Sequence, residues 1–209
     1  MDADRIILDA HVARDVDSDD GRPGWRVKTG KHNLAMNTRW KPSVTVAAVI
    51  AKDFDGIEKF LLVEEETRDG LKLNNPAGHL DPGESPEQGC ARETLEETAF
   101  HFTPTAIVGV YLSRFERAQP EGLLDITYLR FAYCGELGAN VQGQALDDGI
   151  VRTLWLSADE VRASVGSHRS PLLLKCMEDY LAGRRYPLDM VTTDASVSGT
   201  SGEPWPSWM

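Results

Sequence analysis

The stretch GHLDPGESPEQGCARETLEETAF, residues 78–100, concentrates five glutamates and one aspartate and contains no lysine. Its middle is typical of a helix start. Ser85 can act as the N-cap, Pro86 fits the first turn, and Gln88 can reach back to the N-cap backbone. We therefore expect a helix from Pro86 to about Thr98. A fold that holds so many like charges on one short helix must neutralise them.

Helical periodicity brings three of these glutamates together. At about 100° per residue, Glu93, Glu96 and Glu97 share one side of the helix, and Arg92 lies at its flank. The residues expected on the opposite side, facing the core, are Ala91, Leu95 and Thr98. A solvent-exposed acidic face is the ordinary interpretation of such a pattern. However, an exposed face usually mixes charges at i,i+4 spacing, and here only Arg92 offsets the acids.

Clustered carboxylates favour a second interpretation, a site for a hard divalent cation. Mg²⁺ and Mn²⁺ prefer oxygen ligands, and Mg²⁺ pairs readily with phosphate groups. The loop before the helix, residues 76–84, has two glycines and two prolines and brings Glu84 beside the helix. The sequence therefore predicts that a metal ion relieves the repulsion, with Mg²⁺ as the expected cofactor and Mn²⁺ as the alternative.

Composition limits the classes of partner. The 209-residue chain has 41% hydrophobic and 26% charged residues, which is typical of a globular domain. Its net charge of -11 argues against binding to nucleic acid polymers or anionic membranes, and it permits a small phosphorylated molecule reached through a metal ion. The cysteines, Cys90, Cys134 and Cys176, form no C-x-x-C pair and indicate reduced thiols. With no visible secretory signal or bilayer-length apolar run, we expect a cytoplasmic protein, as a monomer or small homo-oligomer.

The order of apolar runs predicts the fold class. The runs expected as strands are 44–51, 59–65, 107–115, 126–134 and 153–156. Helices are expected after Ser157 and Ser170, in addition to the acidic helix. Strands, helix, strands and helices in this order favour a mixed α/β sandwich over regular βαβ units.

The ends of the chain differ from its middle. We expect a folded domain over residues 39–191 and a flexible tail over 192–209. Residues 1–38 are aspartate-rich without sustained periodicity, which indicates a disordered or mis-annotated extension. Met36 is a candidate for the true start of translation, because the folded pattern begins just after it.

Residues 78–100 resemble the signature of the Nudix hydrolases, G-x5-E-x7-R-E-U-x-E-E-x-G-U, in which U is a bulky aliphatic residue. The matching positions are Gly78, Glu84, Arg92, Glu93, Glu96 and Glu97. The departures are Thr94 and Phe100 in place of aliphatics and Ala99 in place of the second glycine. None of them removes a carboxylate. Segments between Trp40 and Val191, such as NNPAGHL, are similar to the NudJ-like branch of this family.

This resemblance implies an α/β/α sandwich with a mixed sheet and a Mg²⁺-dependent hydrolase of phosphoanhydride bonds. For the NudJ-like branch it implies nucleoside di- and triphosphates, thiamine pyrophosphate or hydroxymethylpyrimidine pyrophosphate as substrates. The alternative is a non-catalytic Nudix-fold module that senses a nucleotide. Such modules usually lose glutamates of the signature, and this chain keeps all four.

The resemblance also implies roles for single residues. Glu96 and Glu97 would bind metal together with the main-chain carbonyl of Ala77. Glu93 would be a further ligand or would orient the attacking water. Arg92 would hold the glutamates in place rather than touch the substrate.

Other residues have open roles. Glu84 is either a ligand or the partner of one, and Gly78 and Gly83 are expected for tight turns or positive φ. Asp147 and Asp148 could supply an extra base, although two aspartates before a glycine also suit an ordinary turn. The candidates for substrate binding, which could equally be solvated, are Arg68, Lys72, Asn74 and Asn75.

Overall fold

The computed structural model describes residues 40–120 and 122–198. The strands in these ranges are β1 Ser43–Val49, β2 Ala51–Phe54, β3 Ile57–Thr67, β4 Gly70–Asn74, β5 Ala77–His79, β6 Phe100–Gln119, β7 Gly122–Asn140 and β8 Ile150–Ser157. The α-helices are α1 Pro86–Thr98, α2 Ala158–Ala163 and α3 Leu172–Leu181, and short 3₁₀ turns cover Val165–Ser167, Leu188–Met190 and Ala195–Ser198. The expected extension over 1–38, with Met36, and the tail from residue 199 lie outside the described residues.

The strands form two sheets. In the first the order is β5-β1-β7-β6, with β1 parallel to β7 and the other pairs antiparallel. In the second, β3 pairs antiparallel with β2, β4 and β8. Asp55 and Gly56, both at positive φ, join β2 to β3, as a two-residue hairpin turn requires.

Alternating side chains divide the core into two layers. Val46 and Ala48 of β1 pack in one cluster with Cys90 of α1. Val49 of the same strand packs in the other cluster with Leu173 of α3. Because successive strand residues point to opposite faces, α1 covers one face of the sheets while α2 and α3 cover the other. This α/β/α arrangement confirms the expected fold class.

Two of the predicted helix starts are confirmed by their caps, whereas α3 begins at Leu172 with Pro171 as its N-cap and no side-chain cap. Ser85 Oγ accepts the N–H of Gln88 at 3.2 Å, and Gln88 Oε1 accepts the N–H of Ser85 at 2.8 Å. Ser157 makes the same reciprocal pair with Glu160 at α2. None of the helices in the described ranges is long and apolar enough to span a membrane.

The segment that follows Asp69 is more ordered than the sequence suggests. The loop expected over residues 76–84 contains the strand β5, and β4 lies just before it. The expectation is wrong because β5 is only a three-residue run, whose pairing with Thr45–Ala47 of β1 is a long-range contact that local propensity does not reveal.

Strands β6 and β7 form a hairpin that extends past the sheet. β1 pairs with β7 over Tyr128–Cys134, so the earlier part of β7 and its partners in β6 form a two-stranded ribbon. Arg117 in this ribbon forms an ion pair with Asp69 in the turn between β3 and β4. The ribbon and that turn thus become facing walls of a cavity.

The cysteines are distributed over the layers of the sandwich. Cys90 lies in α1, Cys134 in β7 and Cys176 in α3, and all three are buried free thiols. Burial raises the pKa of each thiol, for Cys176 to about 11. All three thiols are therefore protonated and unreactive in the folded state.

Candidate active site

Arg92 ties together the carboxylates of the signature. Its Nε and Nη2 donate to the two oxygens of Glu84 at 3.0 and 2.7 Å. Its Nη1 donates to Glu93 at 2.8 Å and to Glu96 at 2.9 Å, and Nη2 also donates to the carbonyl of His79 at 3.0 Å. The hydrogen bond to Glu84 is the main cause that raises the pKa of Arg92. A planar guanidinium can hold three carboxylates at once, which a lysine ammonium on a flexible stem does less well.

Glu84 fastens the loop to the helix. In addition to Arg92, its Oε1 accepts the backbone N–H of Asp81 at 2.7 Å. Arg92 is the main cause that lowers the pKa of Glu84, so this carboxylate is ionised. Gly83, just before it, has a φ of 94°, which glycine tolerates and other residues rarely adopt.

The acidic side of α1 faces inward, contrary to expectation. Glu93 and Glu97 are buried together with Thr98, whereas Ala91 and Leu95, expected in the core, are only half-buried. In an amphipathic helix the charged side usually faces solvent, but here an arginine and a backbone N–H donate hydrogen bonds to the buried carboxylates. The helix therefore buries two carboxylates against the β5 segment.

Glu97 is the second buried carboxylate of α1. Its Oε2 accepts the N–H of Ala77 at 2.8 Å. Burial raises the pKa of Glu97 to about 8, against the lowering effect of the Ala77 hydrogen bond, and the charges of Glu93, Glu65 and Asp147 add to the rise. A nearby cation would reverse this shift, so the environment favours binding of positive charge.

Glu93 lies directly over the backbone of Gly78. A Cβ atom built on Gly78 would meet the Glu93 carboxylate carbon at 2.1 Å, which no real contact allows. Gly78 is in a strand and has no positive φ, so the expected turn is wrong for Gly78 although positive φ is correct for Gly83. Glycine is needed at position 78 to leave room for the carboxylate. Burial raises the pKa of Glu93, and Arg92 opposes that rise.

Asp147 joins the acidic helix from the loop before β8. One carboxylate oxygen from each of Glu93, Glu96 and Asp147 can be chosen so that all three lie within 4.8 Å of one another. The N–H of Asp147 donates to the main-chain carbonyl of Glu96 at 3.0 Å, which fixes the loop to the helix. Asp148 is exposed and does not belong to this group. All the donors are hard oxygens, so the residues present fit Mg²⁺ or Mn²⁺.

A cavity of about 670 Å³ opens beside these carboxylates. We call Glu93, Glu96, Glu97 and Asp147 the acid cluster. Ala77 and Gly78 line the cavity, and the same two residues contact Glu97 and Glu93, so the cavity and the acid cluster share a wall. The basic residues that line the cavity are Arg68, Lys72, Arg114, Arg117, Arg130 and Arg169. In a chain with a net charge of -11, this local excess of cations favours an anionic ligand.

The expected substrate-binding residues separate into two groups. Arg68, Lys72 and Asn74 line the cavity. Asn75 is not among the residues that line the cavity and is only 1% exposed.

Two charged residues beside the site were not among the residues expected from the sequence. Glu65 is hidden in the run of three glutamates near the end of β3, yet its Oε1 is buried. Arg130 lies in β7 and is 9% exposed. A signal existed for Arg130, because a lone charge inside the apolar run ITYLRFAYC needs either a partner or a ligand.

This arrangement suits hydrolysis of a phosphate anhydride. A divalent cation held by such carboxylates lowers the pKa of a coordinated water and neutralises charge on a phosphoryl group. Arg92 fixes Glu93 and Glu96, Ala77 fixes Glu97, and the basic cavity offers binding to the rest of an anionic molecule.

Known proteins share this chain's sequence and fold. The NUDIX domain family matches residues 41–176. Phosphatase NudJ of Escherichia coli (strain K12) is 34% identical over 152 residues, which cover 73% of this chain and 92% of NudJ. A NUDIX hydrolase structure from Nitrosomonas europaea is 48% identical with a TM-score of 0.64, over 74% of this chain and 98% of that one. The Escherichia coli ORF135 protein, 20% identical with a TM-score of 0.51, over 69% of this chain and 91% of that one, shares the fold.

The family match covers well over half of the chain and includes β1, α1 and β8. The similarity to NudJ extends over nearly all of that protein. Together with the carboxylates collected on α1, these matches lead to one conclusion: the chain belongs to the Nudix hydrolase family and is a hydrolase of phosphoanhydride bonds.

Proposed function

We propose that this protein hydrolyses small-molecule di- and triphosphates with Mg²⁺ as its metal, and that Mn²⁺ can replace it. The observation that carries the proposal is the shared wall between the acid cluster and the basic cavity, formed by Ala77 and Gly78. A phosphate bound near this wall would meet metal on one side and cations on the other. That is the charge arrangement that phosphoryl chemistry requires.

The proposed ligands of the metal are Glu93, Glu96 and Glu97, with the main-chain carbonyl of Ala77. Asp147 joins them because its carboxylate lies close to Glu93 and Glu96. Asp147 is exposed, which makes it a candidate to act as base, while Glu93 remains a candidate to orient the water. Arg92 acts on these residues by position, since its donors are engaged by protein acceptors.

The proposed substrates are nucleoside di- and triphosphates, thiamine pyrophosphate and hydroxymethylpyrimidine pyrophosphate. Similarity to phosphatase NudJ over most of its length supports this choice. The cavity supports it too, because Phe115 and Tyr128 line it and aromatic rings can stack on a heterocycle. Arg68, Lys72 and Asn74 are the proposed contacts to the phosphates or the ring.

A phosphate-release assay over a panel of diphosphates tests this function. We expect release of phosphate or pyrophosphate with Mg²⁺, and no release when EDTA replaces the metal. Nucleoside monophosphates are the matched controls, because they contain no anhydride bond and should not be cleaved. Tight binding without any release across the panel would instead support the non-catalytic sensing module.

We further propose that the protein works in the cytoplasm on free small molecules. The buried and reduced state of Cys90, Cys134 and Cys176 supports a reducing compartment. Mass spectrometry of thiols in protein from its native source, labelled before lysis, would detect disulfides if this assignment were wrong.

A further inference from the structure

Several residues that line the cavity carry buried polar atoms without a hydrogen-bond partner among the described residues. These atoms are Thr45 Oγ1, Glu65 Oε1, Asn74 Oδ1, Arg130 Nε and Arg130 Nη1. Buried polar groups in folded proteins are almost always hydrogen-bonded. An anionic ligand can accept from the donors in this set, Arg130 Nε, Arg130 Nη1 and the Thr45 hydroxyl, but not satisfy the acceptor oxygens of Glu65 and Asn74.

Arg130 stands out within this group because it carries a permanent charge. It is 9% exposed, and within the described ranges its guanidinium makes no hydrogen bond or ion pair. Its strand neighbours are Thr45 of β1 and Tyr111 of β6, so pairing on both sides fixes its position in the sheet. Burying an unpaired charge is strongly unfavourable, and a protein retains one where a ligand compensates it.

The other cations that line the cavity differ from Arg130. Arg114 is paired with Asp125, Arg117 with Asp69, and Arg169 lies 3.8 Å from Glu65. Lys72 donates to the carbonyl of Gly166 at 3.2 Å, and Arg68 is exposed to solvent. Among the cations that line the cavity, Arg130 is therefore the one that is buried without a partner in the part of the chain that the structure describes.

We propose that Arg130 binds a phosphoryl oxygen of the substrate's diphosphate group, on the cavity side of the acid cluster. This inference rests on the proposed function, since it assigns a contact to the same substrate. A phosphoryl oxygen provides both a counter-charge and an acceptor, whereas a neutral heterocycle provides an acceptor alone.

Sheet pairing places Arg130 near the acid cluster, because its neighbour Thr45 pairs on its other side with His79, which follows Gly78. Burial lowers the pKa of Arg130, while the charges of Glu65 and Glu97 act in the opposite sense. Glu97 is part of the acid cluster, and Glu65 lines the cavity. A diphosphate bound between cluster and cavity would therefore present one phosphoryl group to the metal and another to Arg130.

The test compares Arg130→Met with Arg162→Met. Both substitutions remove a guanidinium, but Arg162 lies on α2 outside the cavity lining, is exposed and is already paired with Glu178. The probe is methylenediphosphonate with Mg²⁺, a diphosphate analogue whose P–C–P bridge cannot be hydrolysed. We expect Arg130→Met to weaken its binding by about 10–100-fold in calorimetry, as loss of a charged hydrogen bond implies. Arg162→Met should change it by less than about twofold.

Melting temperatures without ligand separate a binding role from a structural one. If Arg130 serves the ligand, the methionine variant melts no lower than the wild type, because an unpaired buried charge is removed. A lower melting temperature with the analogue's affinity retained would make Arg130 a structural residue and overturn the proposal. Arg130→Lys is the second variant. It keeps the buried charge for folding but loses the planar donor set, so weaker analogue binding is expected there too.

Two further outcomes are informative. If Arg130→Met binds the analogue as tightly as the wild type but loses affinity for an unphosphorylated nucleoside, Arg130 recognises the ring and the proposal is wrong. Failure of the proposed function is distinguishable, because binding of the analogue does not depend on turnover. Active hydrolysis with an unaffected Arg130→Met variant would overturn this inference alone.

Discussion

At the scale of single residues, the site depends on which atoms are missing as much as on which are present. Gly78 contributes no side chain, and the Glu93 carboxylate occupies the space that a Cβ would fill. The sequence identifies the glycine through its place in the signature, but it cannot show that the reason is close approach. That reason depends on the position of the Glu93 side chain, which lies fifteen residues later in the chain.

We predict that Gly78→Ala lowers turnover by at least about tenfold, because Glu93 must move away from Arg92 and from the metal-binding group. The protein should remain folded, with a melting temperature lowered by a few degrees. Gly166→Ala is the matched control, since a Cβ there meets nothing within 4 Å and its φ is not positive. Equal turnover in Gly78→Ala and the wild type would show that Glu93 has no catalytic position to lose.

We also predict that Glu97→Gln lowers turnover by at least about a hundredfold. The amide keeps the volume and still accepts the Ala77 N–H, but it removes one anionic oxygen from the site. Glu87→Gln, in the first turn of the same helix, is the control and should retain activity. Steady-state hydrolysis at saturating Mg²⁺, with thermal melting beside it, checks both. Normal turnover in Glu97→Gln would remove α1 from the catalytic centre.

At the scale of elements, α1 shows what local sequence can and cannot determine. Its start was predictable because Ser85, Pro86 and Gln88 act within one turn, and the capping box forms as expected. Its orientation was not predictable from periodicity. The helix buries Glu93 and Glu97 because Arg92 and the Ala77 N–H receive them, and those contacts depend on the tertiary fold.

The end of α1 offers a prediction of its own. Ala99 caps the helix in the left-handed conformation, with a φ of 58°, where the family signature has glycine. A Cβ in this region is strained, so we expect Ala99→Gly to stabilise the protein by about 0.5–1 kcal/mol. Urea denaturation measures this directly. A loss of stability would mean that the buried Ala99 methyl contributes more packing than the conformation costs.

At the scale of the whole molecule, the pairing of strands within the sheets could be predicted only in part from the sequence. Long apolar runs such as 126–134 predicted strands correctly, and the order of elements predicted the sandwich. The partners of β5 and the inward course of Arg130 depend on contacts between distant segments. The convergence of Asp147 on α1 was likewise one of two interpretations of an Asp-Asp-Gly turn until the loop was seen beside Glu96.

Metal-free stability should fall as pH rises from about 4.5 to about 8. The pKa of Glu97 is raised from 4.5 to about 8, so over this window the folded state binds a proton that the unfolded state has lost. The free energy of unfolding therefore decreases, with a slope of up to about 1.4 kcal/mol per pH unit. Denaturation in EDTA across this range measures it.

Mg²⁺ should flatten that dependence, because a bound cation favours the ionised carboxylates and stabilises the folded state by mass action. The Glu97→Gln variant should show a smaller slope in EDTA than the wild type. If the two proteins show the same slope, the titrating group is not Glu97.

Each layer of the sandwich contains one buried thiol, whose labelling rate can report how often that layer opens. Because only an exposed thiolate reacts with an alkylating reagent, the labelling rate at Cys90, Cys134 or Cys176 reports how often α1, β7 or α3 opens. We expect Mg²⁺ to slow labelling most at Cys90, since the proposed metal ligands Glu93, Glu96 and Glu97 lie on the same helix. Timed alkylation followed by peptide mass spectrometry reads all three positions in one experiment. Equal slowing at every cysteine would mean that the layers open only in one cooperative event, so that stabilising one helix stabilises all three layers.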